Sequence, residues 1–235
     1  MGNRQPADGI GEVSRPYLTM LLADGRLPTG AHTQSAGLEP AFAYGMRLDQ
    51  VPDYLRVRLG TVTEVEAAAA VVARHRWLTD PAARTPAMLE VDAAWRVRTL
   101  SDALREASDL LGRSYLRTAG SVWSLGALRE ARGGVWCRAV VLGATAAEAG
   151  LSSAELVRLA GFEDVQTVIA AALKLEPFDP SVAVAWAAAT EGEVEELVRR
   201  VGAMTTTAEI PAYGAPLIEE WGQRHRDAER RLFRA

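Results

Sequence analysis

One stripe of apolar residues constrains this chain more than any other feature. Val51, Leu55, Leu59, Val62, Val65, Ala69 and Val72 recur at steps of three and four. That spacing returns a side chain to the same side of an α-helix at every turn, whereas a strand alternates at every second residue. Pro52 suits the first turn, where its missing N–H would be unpaired anyway, and Thr79-Asp80-Pro81 breaks the pattern. The spacing therefore predicts one long helix with a single buried face.

The same period runs through the rest of the chain. A first helix is expected over Tyr17 to Leu22, ending near Asp24-Gly25, and a second from about Ser35 to Gly45. Thr85-Pro86 opens another through Met88, Leu89, Val91 and Trp95, and Leu100 to Leu116 continues or restarts it. Gly133-Gly134 is the clearest break in mid-chain. The segment from Val135 to Ala149 is small and apolar, which predicts a place at the centre of a bundle. Ser152 and Glu155 have capping-box spacing ahead of Leu156, Leu159, Val165, Val168, Ile169 and Leu173. Asp179-Pro180 opens a last long helix reaching about Val201. No segment alternates like a strand, and no repeat or linker divides the chain. The expected fold is all-α, a single-domain helical bundle of roughly eight to ten helices over residues 16–235, after a disordered segment 1–15.

Composition excludes several function classes. The net charge of −4 provides no global attraction to nucleic acid or anionic membrane. Cys137 is the only cysteine, so no intrachain disulfide can form, and the chain suits a reducing cytoplasm. No apolar run is long enough to span a bilayer. Of His32, His75 and His225, none has a second His or Cys three or four residues away, and Arg74 and Arg76 flank His75. No metal site within the chain is expected, although one formed across a symmetric dimer stays open. His32, Ser35 and Glu39 make the only compact nucleophile–base–carboxylate set, but a turn running into a helix gives them no reason to converge. A phosphate-binding loop ending in Lys-Ser/Thr is absent as well. The chain is expected to be no enzyme and to bind no cofactor.

Two stretches remain unabsorbed by the core. The first, Leu27 to Glu39, strings a Pro, two glycines, small hydroxylated residues, an imidazole and a carboxylate between apolar anchors. Such a loop suits close contact with another surface, and would equally serve as a plain helix–helix connection. The second runs from Glu219 to the C-terminus and mixes dense charge with Trp221, Leu232 and Phe233. Arginine and aromatics together are preferred anchors of protein interfaces, which predicts a partner-binding tail over 219–235.

Pro28, Gly30, Thr33, Ser35, Gly37, Leu38 and Glu39 resemble the N-terminal signature of the UreF family of urease accessory proteins. Glu106 with Gly112-Arg113 resembles its central helix, and His225 with Arg231-Leu232-Phe233 its closing tail. The matches fall in order along nearly the whole chain. The resemblance implies an all-helical, non-catalytic homodimer that joins UreD (also called UreH) and the GTPase UreG. That complex delivers nickel to the urease apoprotein. It further implies that Pro28, Gly30, His32, Ser35, Glu39 and Arg231 face UreG, and that His225, Leu232 and Phe233 face UreD. His32, Gln34 and Glu229 depart from the family pattern, which bears on those contacts. A different class of function, a cytosolic regulator holding a small ligand between helices, would use Trp123, Trp136 and Trp186 as pocket walls.

Overall fold

In the computed structural model the described residues are 13–30, 33–226 and 232–233, so His32 and Arg231 lie outside them. Among these residues the regular structure is entirely helical. In order, the α-helices are α1 (Arg15–Leu22), α2 (Leu38–Ala43), α3 (Val51–Leu59), α4 (Val62–Thr79), α5 (Arg84–Arg96) and α6 (Asp102–Ala119). They continue as α7 (Gly126–Glu130), α8 (Arg138–Glu148), α9 (Ser153–Leu175), α10 (Pro180–Ala189), α11 (Glu191–Val201) and α12 (Pro216–Arg226). Ten of the twelve are eight residues or longer; α2 and α7 are shorter.

The apolar stripe of Val51 to Val72 is real but spans two helices. Gly60 closes α3, and Thr61, at φ −133° and ψ −92°, turns the chain before α4 begins. A bend of two residues leaves the apolar period in register, so the pattern alone does not reveal it. The long helix expected after Pro180 likewise divides at Thr190, whose side chain bonds back to the Ala187 carbonyl. At the capping box expected ahead of Leu156, the expectation and the structure agree. The Ser152 hydroxyl accepts from the Glu155 N–H, and the Glu155 carboxylate accepts from the Ser152 N–H at the start of α9.

Helix α4 is the axis of the larger core, with Ala67 to Ala73 buried without interruption. It packs along α8, whose residues from Ala139 to Ala147 are buried too. Small residues let these backbones approach closely. A Cβ added to Gly143 would stand 2.3 Å from the Ala70 carbonyl oxygen, and one on Gly112 of α6 only 2.1 Å from that of Trp136. Trp77, Met88, Tyr115, Leu128, Trp136 and Leu142 fill the surrounding space. Cys137 is an inert member of this core, its thiol pushed well up by burial.

A second apolar cluster sits between α2, α3, the C-terminal half of α9, α10 and α12. Leu38, Leu55, Val168, Ile218 and Phe233 belong to it. It underlies the signature stretch and the chain's end, and so positions the site. No helix of the described residues is long and apolar enough to cross a membrane.

Candidate functional site

The signature turn rests on two helices, α6 and α3. Gly30 takes φ +88° and faces α6, where an added Cβ would meet the Ser114 hydroxyl at 3.6 Å and Leu111 at 3.7 Å. The Thr118 hydroxyl of the same helix donates to the Pro28 carbonyl at 3.1 Å. Farther along, Ala36 and Gly37 both adopt positive φ, 52° and 80°. Glycine tolerates that conformation; alanine must be held in it. Two donors of α3 grip the Ala36 carbonyl, the Tyr54 hydroxyl at 2.6 Å and Arg58 Nη1 at 2.8 Å. Gly37 leaves room for this grip, since a Cβ there would stand 2.8 Å from the Tyr54 hydroxyl.

Arg58 is itself fixed from below. Its guanidinium makes a two-pronged contact with Asp164 of α9, and Thr63 of α4 donates to the same carboxylate at 2.8 Å. Burial alone would raise the Asp164 carboxyl, but Arg58 and the Thr63 hydroxyl outweigh it and hold the group below its ordinary range. Beside this pair Arg138 bonds Glu66 and Glu163. There the balance goes the other way: burial raises the Glu163 carboxyl by more than Arg138 lowers it. These charges line a cavity of about 120 Å³ beneath the turn.

From this platform α2 presents Glu39, and the C-terminal tail closes onto it. Glu39 Oε1 accepts from the Leu232 N–H at 2.7 Å, and Oε2 from the Phe233 N–H at 2.9 Å. His225 Nε2 of α12 donates to the Phe233 carbonyl at 3.1 Å and lies 3.4 Å from Glu39 Oε2. One carboxylate and one imidazole thus satisfy both N–H groups and a carbonyl of Leu232–Phe233, a clasp of backbone recognition rather than a catalytic dyad. Phe233 is only 5% exposed, seated in the second apolar cluster, with Lys174 Nζ 5.1 Å from its ring centre. Leu232 points away and is 76% exposed.

A sequence model of the UreF family matches residues 47–191. The chain is 34% identical to the urease accessory protein UreF of Mycobacterium marinum, over 92% of this chain and 97% of that protein. The chain belongs to the UreF family. UreF of Mycobacterium tuberculosis is 33% identical and that of Mycolicibacterium vanbaalenii 31%, each over 91% of this chain and 96% of the relative.

The two stretches that resemble the UreF signature and tail, 193 residues apart at Glu39 and Leu232, meet in one place. Of the signature residues, Pro28 is exposed and Gly30 half-buried, while Ser35 is fully buried with a hydroxyl that meets no partner among the described residues. Within the tail the sequence pointed to exposed Trp221, Leu232 and Phe233; only Leu232 is exposed, and Trp221 is half-buried beside the Tyr54 ring. Sequence reasoning passed over Tyr54, Arg58 and Asp164, which hold the turn in shape. A charged residue on a buried helix face, as Arg58 is among Val51, Leu55 and Leu59, was the available signal. Of the three tryptophans proposed as pocket walls, Trp136 is core and donates to the Leu128 carbonyl. Trp123 packs on that core, and Trp186 against Phe178. Among the described residues, no group of three or more His, Cys, Asp or Glu could hold a metal ion.

Proposed function

We propose that this UreF protein is a non-catalytic scaffold of urease maturation. It acts in the cytoplasm as a homodimer and joins UreD (UreH) to the GTPase UreG. Together they carry out GTP-dependent nickel insertion into the urease apoprotein. Nickel is the cargo of that assembly; no metal or other cofactor resides in this chain.

The observation that carries this reading is the Glu39 clasp. A surface built for a partner needs a rigid base and a recognition element, and here Arg58 and Tyr54 supply the base for the signature turn. Glu39 then ties the tail to the same base. In this arrangement Pro28 and Gly30 face UreG directly; His32 and Arg231 are assigned to the same partner on the family resemblance alone. Ser35 and Glu39 act from beneath, by shaping the turn and seating the tail. Leu232 is the apolar contact for UreD, and His225 and Phe233 hold the backbone that presents it. Because Glu39 serves both sides, occupancy of one is energetically linked to the other. A scaffold that prefers one nucleotide state of UreG would couple hydrolysis to nickel release, since only differential affinity shifts such an equilibrium.

Removing residues 231–235 tests the assignment. The shortened chain should keep its helical circular dichroism and lose co-purification with UreD. Undiminished co-purification would refute the role of the tail.

A further inference from the structure

Nearly every arginine on this part of the surface is matched to an acid or a carbonyl. Arg105 pairs with Asp102, Arg96 with Asp92 and Asp109, and Arg226 with Glu106. Arg98 donates to the carbonyls of Ala94, Thr207 and Ile210. Arg113 and Arg117 of α6 differ: both are exposed, and neither has a hydrogen bond or ion pair among the described residues. The reason is visible in the helix. Asp109, one turn before Arg113, is already engaged by Arg96, and Glu106 by Arg226. The positions three and four residues from Arg117 hold Arg113, Ser114, Gly120 and Ser121, none of them acidic. Two like charges one turn apart repel each other, and nothing among the described residues relieves them.

Their position is specific. On α6, Leu111, Ser114 and Thr118 carry the Pro28–Gly30 turn. Leu110, 40% exposed, joins Arg113 and Arg117 in a ridge along the adjoining outward side. The ridge therefore borders the signature turn.

Resting on the scaffold reading above, we infer that Arg113 and Arg117, with Leu110 beside them, form a docking strip for a carboxylate-bearing surface of the partner GTPase. The strip is continuous with the Pro28–Gly30 turn. Guanidinium groups suit this task because each offers a planar fork of donors to a carboxylate. On a chain of net charge −4, a local cationic strip also gives an acidic partner one favoured direction of approach. Leu110 supplies apolar contact at the same place.

Binding of the full-length chain to purified UreG, measured over a range of salt concentrations, tests the inference. The pair R113E/R117E should weaken the wild-type affinity by roughly tenfold or more at low salt and flatten its salt dependence. R113K/R117K, which keeps charge and loses the planar fork, should fall between the two. Both variants should retain wild-type circular dichroism and wild-type binding to UreD. Charge-reversed protein that holds UreG as well as wild type, with the same salt dependence, would overturn the docking strip alone. Wild-type protein that does not hold UreG at all would overturn both the strip and the scaffold reading on which it rests.

Discussion

The Glu39 carboxylate decides whether the end of the chain is docked or free, and Glu39→Gln shows how strongly. Seating Leu232 and Phe233 freezes two backbone residues, at roughly 1–2 kcal/mol each. Burying the Phe233 ring returns about 1.5–3 kcal/mol, so these contributions nearly cancel. What remains is the pair of N–H bonds to Glu39, at 2.7 Å and 2.9 Å, each worth roughly 1.5–3 kcal/mol with a charged acceptor. Glutamine keeps one acceptor oxygen, now neutral, and turns an NH₂ toward the other N–H. The expected loss is about 2–4 kcal/mol, or roughly 30-fold to 1,000-fold in the docking equilibrium. Amide hydrogen exchange at Leu232 and Phe233 reads this directly, with the core amides of α4 and α8 as internal controls. Protection at those two amides should drop by that factor while the controls hold. Unchanged protection would refute the claim that the carboxylate seats the tail.

Two further outcomes follow from the platform and the cap. Arg58→Met leaves Asp164 buried without its partner and frees the Ala36 carbonyl, so stability should fall by about 3–5 kcal/mol. For a chain of this size that is a drop of roughly 6–20 °C in thermal midpoint, and an unchanged midpoint would show the pair is dispensable. The Ser152 hydroxyl and N–H hold the Glu155 carboxyl below its ordinary 4.5. Its contribution to stability is present above that ordinary value and lost as pH falls through the lower folded one. Ser152→Ala should therefore reduce stability at neutral pH and shrink the wild-type loss below pH 4.5, read by denaturant titration at several pH values.

What could be read from the chain follows from how local each signal is. Helix starts marked by a cap or proline, such as Ser152 with Glu155 and Asp179-Pro180, lie where residue chemistry places them, because cap and helix are sequence neighbours. Breaks that keep the apolar period in phase, at Gly60-Thr61 and at Thr190, leave little trace in the pattern. The same holds for the site. Pro28, Gly30 and Gly37 announce a shaped turn, since their backbone freedom or restriction is intrinsic. Nothing near Phe233 announces that an acid 194 residues away will bind its amide, so the ring looked exposed and is buried. Arg58 and Asp164, 106 residues apart, were likewise legible only as charges out of place.

The most direct test of the whole account is to present Glu39→Ala and wild-type protein to UreD and UreG together and measure the mass of the assembly formed. Wild type should hold both partners, and the variant, still fully helical, should lose its grip on both at once. Glu39→Ala protein that releases one partner while holding the other at wild-type strength would contradict the claim that signature and tail form a single surface.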